Sequence, residues 1–180
     1  MSGDLETVTE VGGPLRGGPP GRRPPGSAGL VLASRGDALT PSLFDEVERR
    51  FPVLRRLDAE LAPWQRAAVA ASSFRPTRLR WAETFYKSGL GYRLRSANAA
   101  AGVRGLDPAP VLQVHTLFEV PGHRSLLYVD CTHRQSAEQW PAWNPLRGEA
   151  LHRWYAREQR AYRSAAHVFS FSRETRRSLL

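Results

Sequence analysis

The sequence predicts an α/β domain, a parallel sheet with helices on both faces, and three observations predict it. Short apolar runs recur at 29–34, 111–115, 125–130 and 167–171, bounded by Gly, Pro or polar residues as buried strands are. Amphipathic stretches at helical period lie between them, at 77–88 and 149–164. The links are short, and strand–helix–strand alternation with short links is satisfied by a parallel sheet covered on both sides.

The ordered chain is expected to begin at Gly29. Residues 1–28 hold 7 of the 15 glycines and 5 of the 14 prolines, with almost nothing to bury, so they read as a disordered tail. Residues 29–180 then form one domain of ordinary size. Gly29-Leu-Val-Leu-Ala-Ser34 is the first strand, ending in the turn Arg35-Gly36-Asp37. Thr40-Pro41 supplies an N-cap and a first-turn proline for a helix towards Arg50. Pro52 is expected to start a further helical turn through Leu54, Leu57 and Leu61, and Ala67–Ser72 is the second strand candidate.

Thr77–Ser88 gathers Leu79, Trp81, Ala82, Phe85 and Tyr86 on one helical arc, and a second helix is expected over Tyr92–Val103 after Gly89 and Gly91. Val111–His115 is the third strand and, after a Pro121-Gly122 turn, Ser125–Asp130 the fourth. Glu149–Ser164 is a helix and His167–Phe171 the fifth strand. Ser172 then caps a last helix whose first turn holds Glu174.

Composition limits the function classes. Cys131 is the only cysteine, which excludes an internal disulfide framework. No apolar run is long enough to span a bilayer, and the acidic N-terminus lacks the apolar stretch of a signal peptide, so a cytoplasmic protein is expected. The formal charge of +9 invites a nucleic-acid reading. Yet 25 of the 26 basic residues are arginine, spread along the domain, with Lys87 the single lysine. With abundant Ala, Gly and Pro, that pattern reflects GC-rich coding more than a phosphate-binding surface, so nucleic acid is not favoured as a partner. Neither G-x-G-x-x-G nor a Walker loop occurs, so the chain itself is expected to bind no nucleotide cofactor.

In an open parallel sheet, ligands sit beyond the carboxyl ends of the strands. The residues there are Ser34–Asp37, Ser72–Arg75, His115-Thr116, Asp130–His133 and Ser172-Arg173, a set rich in hydrogen-bonding groups. Asp130 and His133 are the candidate catalytic pair, able to position a hydroxyl and accept its proton. The plainer alternative has Asp130 capping the next helix and His133 exposed. A metal held by His115, His123, Asp130 and His133 matches no metal-ligand spacing, and no metal is assigned. Cys131 reads as a small buried hydrophobe rather than a nucleophile. Glu158 falls on the apolar face of helix 149–164 beside Trp154 and Tyr162 and therefore needs a partner. A structural bond to a Tyr or to the neighbouring loop is favoured over a role in the cleft. Phe74–Arg104 combines seven basic residues with Trp81, Phe85, Tyr86 and Tyr92. It could meet an anionic acceptor or acidic lipid, or simply pack its aromatic face on the sheet.

The order Leu-Tyr-Val-Asp-Cys-Thr-His (127–133), Trp140-Pro141, Glu158-x3-Tyr162-x2-Ala165 and then Ala166-His-Val-Phe-Ser-Phe-Ser-Arg-Glu-Thr-Arg-Arg-Ser-Leu resembles the N-terminal domain of GT-B glycosyltransferases of the family-4 type. Phe74-Arg75-Pro76, Trp81 and Arg95-Ser96 are similar to that group as well. The resemblance implies a Rossmann-like acceptor domain facing a second, donor-binding domain, with a nucleotide-sugar as co-substrate and no metal. Carried over by position, Asp130 and His133 face the transferred sugar. Ser34–Asp37 would line the cleft floor. With the strand-end reading, the acceptor-side candidates are Arg35, Gly36, Asp37, Phe74, Arg75, His115 and Thr132, and Glu158 and Ser172 are expected to be structural. The paired glutamates E-x7-E of the donor domain are absent from the sequence. The resemblance therefore implies the acceptor half of a transferase, a fragment inactive alone, whose partners are the missing donor-binding domain and a sugar, lipid or small-molecule acceptor. Peripheral contact with the inner membrane face is compatible with it. The competing expectations are a partner subunit of a split transferase and a non-catalytic basic binding module.

Overall fold

The computed structural model describes residues 29–36, 40–144 and 146–179. In chain order they form β1 (Leu30–Ser34), α1 (Thr40–Arg50), β2 (Val53–Asp58), α2 (Pro63–Ser72), α3 (Arg78–Tyr86), α4 (Gly89–Gly102), β3 (Val111–Val114), β4 (Ser125–Val129), α5 (His133–Gln139), a 3-10 turn (Pro141–Trp143), α6 (Gly148–Ser164), β5 (His167–Ser170) and α7 (Arg173–Leu179). The expected tail at 1–28 and the candidate residue Asp37 lie outside the described residues.

The five strands make one all-parallel sheet in the order β2-β1-β3-β4-β5. Both faces are covered around β1 and β3, which is why these strands read as largely apolar runs, with Gln113 the buried polar residue of β3. Val31, Ala33 and Val111 point to one face, where Ala99 and Val103 of α4 meet them. Leu32, Leu112 and Val114 point to the other, under Phe44 of α1. The fold is thus the expected Rossmann-like α/β sheet. β3 and β4 are joined without a helix. The connection 115–124 buries Phe118 and Val120 in the α4 face instead, filling part of the space a crossover helix would take.

Two elements correct the expectation. Residues 53–58 are the edge strand β2, not a helical turn. At an edge a single buried residue is enough: Leu57 is the buried position, and the exposed Arg55 and Arg56 lie on opposite faces of the strand. Arg56 is held by Glu48 (2.6 Å) and Asp45 (2.5 Å) of α1, and Arg55 Nη1 donates to Gly102 O (2.6 Å). These charged positions hid the alternation. Residues 67–72 belong to α2, not to a strand: alanine's helix preference prevails, Pro63 opens the first turn, and Gln65 and Val69, one turn apart, are the buried positions.

α3 and α4 fall where expected, but two details differ. Gly89 and Gly91 lie inside the first turn of α4, with Ser88 Oγ accepting the Gly91 N–H (2.9 Å) as its cap. A Cβ on Gly91 would stand 2.7 Å from Ser88 Oγ and 3.3 Å from Phe85 O, so the tight α3–α4 corner requires glycine. α3 buries none of its residues and does not lay its aromatic face on the sheet. It stands beside α2, α4 and the 141–143 turn, tied to α2 by Trp81 Nε1–H donating to Ala70 O (2.9 Å).

Candidate functional site

The chain adds β2 on one side of β1 and β3 on the other, so the connections leaving β1 and β3 diverge and open a crevice at their carboxyl ends. A cavity of about 350 Å³ lies there, walled by Arg35 after β1, His115 after β3, Asp130–His133 after β4, Tyr86-Lys87 at the end of α3, and Glu158 and Tyr162 of α6. A larger groove of about 780 Å³ runs along α6 past Tyr92, Arg157 and the 118–125 loop. The smaller cavity is the better candidate, because it holds the convergent, electrostatically perturbed groups that a polar substrate needs.

Asp130 pairs with His115 rather than with His133. Its Oδ1 accepts the Cys131 N–H (2.7 Å) and lies 3.2 Å from His115 Nδ1. Burial pushes the Asp130 pKa up, but the His115 hydrogen bond and charge and the backbone N–H together hold it below its ordinary value. The carboxylate therefore stays ionised. His115 is the one non-glycine among the described residues with positive φ, at 62°. The carboxamide of Gln113 holds the turn by donating to the carbonyls of His115 (2.7 Å) and Phe118 (2.8 Å).

His133 opens α5 and is only 4% exposed. Its N–H donates to the Glu158 carboxylate (3.2 Å), and its ring lies against the rings of Trp154 and Tyr155. Both ring nitrogens lack a hydrogen-bond partner among the described residues. Burial, and then the Lys87 charge, lower its pKa to about 4. It is therefore a neutral imidazole and a poor proton acceptor, with both ring nitrogens buried.

The plainer alternative for this loop fails on both counts. Thr132, not Asp130, caps α5, accepting the Gln135 N–H (3.1 Å), and His133 is buried. Glu158 bonds to the neighbouring loop and to Tyr162, as its structural reading required, and also borders the cavity. Its pKa is raised by burial. Burial raises the Cys131 pKa too, leaving a thiol.

The other candidates divide. Ser172 caps α7, accepting the Thr175 N–H (3.1 Å). Gly36, with φ of 73°, turns the chain beside Asp58 in a separate hollow. Phe74 is 61% exposed, edge-on to Trp81, and Arg75 is exposed with its guanidinium folded back on Phe74 O (2.7 Å). Neither borders the cavity. His123 is bonded to the backbone of Ala109 instead of joining a metal set, and no metal-binding cluster of three or more occurs among the described residues.

Lys87, Glu83, Tyr86, Trp143, Trp154 and Tyr162 were not anticipated in the cleft. For Lys87 a signal existed: it is the single lysine against 25 arginines. Lys87 Nζ bridges Glu83 (2.8 Å) and Asn144 Oδ1 (3.0 Å), joining α3 to the 141–143 turn at the cleft rim.

Fold and site together define a Rossmann-like α/β domain with a polar cleft at its switch point. No family model, curated protein or solved structure matches this chain.

Proposed function

We propose that this chain is the acceptor-side half of a glycosyltransferase, moving a sugar from a nucleotide-sugar to an acceptor hydroxyl. The observation that carries the reading is the cleft itself, in which a neutral His133 with unpartnered ring nitrogens and an ionised Asp130 share one wall. In this reading His133 positions a hydroxyl of the reacting sugar or acceptor. Asp130, steadied by His115, places negative charge where positive charge develops on the sugar. A second Rossmann-like domain, in the same or another chain, brings the nucleotide-sugar and closes the cleft. Alone, the domain is inactive, because one wall gives neither alignment nor exclusion of water.

The test is transfer of labelled sugar from a nucleotide-sugar panel by this chain joined to, or mixed with, its donor-binding domain. Asp130→Asn and His133→Ala should each lower turnover at least tenfold with donor affinity nearly unchanged. Unchanged turnover in both ends the site assignment, and absence of transfer from every donor ends the reading.

A second reading, a module that binds an anionic membrane surface, is favoured by one observation. Residues 74–80, Phe-Arg-Pro-Thr-Arg-Leu-Arg, are exposed without interruption at the start of α3. Apolar and cationic groups so interleaved suit a charged lipid surface. Titration with anionic vesicles should show binding that weakens steeply with salt, and a flat titration removes this reading. No helix among the described residues is long and apolar enough to cross a membrane.

A further inference from the structure

Arg35 and Arg95 meet at the ring of Tyr86. The Arg35 Cζ lies 4.5 Å from the ring centre and that of Arg95 5.9 Å from it, with Arg95 also 5.9 Å from the Phe85 ring. Arg95 is 0% exposed. Its Nη1 donates to Tyr86 O (3.2 Å), while its Nε and Nη2, and the Nε of Arg35, have no hydrogen-bond partner among the described residues. Glu60 acts on Arg95 only from a distance. Its carboxylate accepts the Leu61 N–H (2.7 Å) and lies 3.9 Å from Arg66. Burial pushes the Arg95 pKa down, and the charge of Arg35 adds to that.

The rest of the charge near the cleft is closed. Asp130 has His115 and a backbone N–H, Glu158 has the His133 N–H and Tyr162, and Lys87 has Glu83 and Asn144. Two neighbouring guanidiniums, one fully buried and neither ion-paired among the described residues, are a costly arrangement that a bound oxyanion relieves. Arg35 faces the cavity, and Lys87 beside it has one of its three donors left over.

We infer that the cleft binds a phosphate group seated on Arg35 beside Lys87, with Arg95 behind Tyr86 as the buried charge that draws it. That the phosphate belongs to the sugar acceptor rests on the transferase reading above; the anion site does not. The two walls also fix the orientation of the acceptor. Arg35 and Lys87 attract the phosphate and the Asp130 carboxylate in the same cavity repels it, so the hydroxyl end points to Asp130 and His133.

The experiment titrates inorganic phosphate into the full chain and follows the arginine Nε–H resonances and the Tm. Saturable shifts of two Nε–H signals with a rise in Tm are expected. Arg35→Gln should keep the fold and weaken phosphate at least tenfold. Arg95→Met should lose the phosphate response while its Tm in phosphate-free buffer is equal or higher, because an uncompensated buried charge has gone. No saturable shift, or unchanged affinity in Arg35→Gln, overturns the site; so does an Arg95→Met that lowers Tm yet binds phosphate normally. Should Arg95→Met fail to fold, Arg35→Gln alone decides.

Glycerol 3-phosphate binding tenfold tighter than inorganic phosphate supports a soluble phosphate ester. Phosphatidylglycerol vesicles whose binding is lost in Arg35→Gln support a lipid headgroup. Phosphate binding without sugar transfer keeps the site and removes the transferase reading, and transfer without phosphate binding does the reverse.

Discussion

The two walls of the cleft are built in different ways. On the α5–α6 side, the helix caps and the 130–133 loop are tied across elements, while the His133 ring and the Trp154 indole N–H lack partners among the described residues. Thr132 caps α5 and meets Ser178 of α7 (2.5 Å), Thr175 Oγ1–H donates to Asp130 O (2.6 Å), and Glu158 receives the His133 N–H. On the α3 side, no residue of the helix is buried, and the links include one indole bond to α2, the Arg95 bond to Tyr86 O, the Lys87 bridge and rings stacked on guanidiniums. A wall closed by hydrogen bonds between elements far apart in sequence holds its side chains in one geometry before any ligand arrives. A wall attached at a few points can adjust. The first suits the groups that must be aligned for chemistry, the second the recognition of a ligand.

Four measurements test the difference between the walls. The largest expected effect is the pH dependence carried by His133. Its folded pKa lies near 4 against 6.5 for the free side chain, so the unfolded chain takes up the proton first as pH falls. The stabilisation is fully present above about pH 6.5 and is lost towards pH 4, amounting to about 3 kcal/mol. Glu158, raised by burial, works in the opposite sense, so the measurement is the difference between wild type and His133→Gln in urea unfolding across that range. A difference that stays constant with pH contradicts a buried neutral imidazole.

Next in size is Glu158→Ala, which leaves the buried His133 N–H without its acceptor and should cost about 2 kcal/mol. Thr132→Ala, removing the α5 cap and the link to Ser178, should cost about 1 kcal/mol, read from the shift in urea midpoint. Leu79→Ser on α3 should change stability by less than about 0.5 kcal/mol, since that side chain is exposed. If Leu79→Ser costs as much as Thr132→Ala, the two walls are equally packed and the contrast fails.

The second half of the chain was more legible than the first. β4, α6, β5 and the Ser172 cap follow from runs such as Leu-Leu-Tyr-Val and His-Val-Phe-Ser, where hydrophobic pattern and strand propensity agree. Residues 52–72 were misread because the two disagree there. Arg55 and Arg56 belong to an edge strand that leaves both of its faces partly solvated, and the alanines of α2 look like a strand only when hydrophobicity is weighed above propensity. The site was half legible. Strand ends pointed to Arg35, His115, Asp130, Thr132 and His133, all of which border the cavity, but also to Phe74 and Arg75, which do not. Lys87, Tyr86 and Tyr162 come from helices, and nothing local tells which end of a helix faces a cleft.

The class of fold and the neighbourhood of the site follow from local pattern alone. Apolar runs between helical stretches have few ways to bury themselves, and a parallel sheet gathers its strand ends at one edge. The tertiary structure decided the pairings: Asp130 with His115 rather than His133, Thr132 rather than Asp130 as cap, and Arg95 buried without an acid. Each depends on distances between residues brought together from separate elements, and hydrogen bonds and charge interactions are set by those distances, which no local pattern encodes.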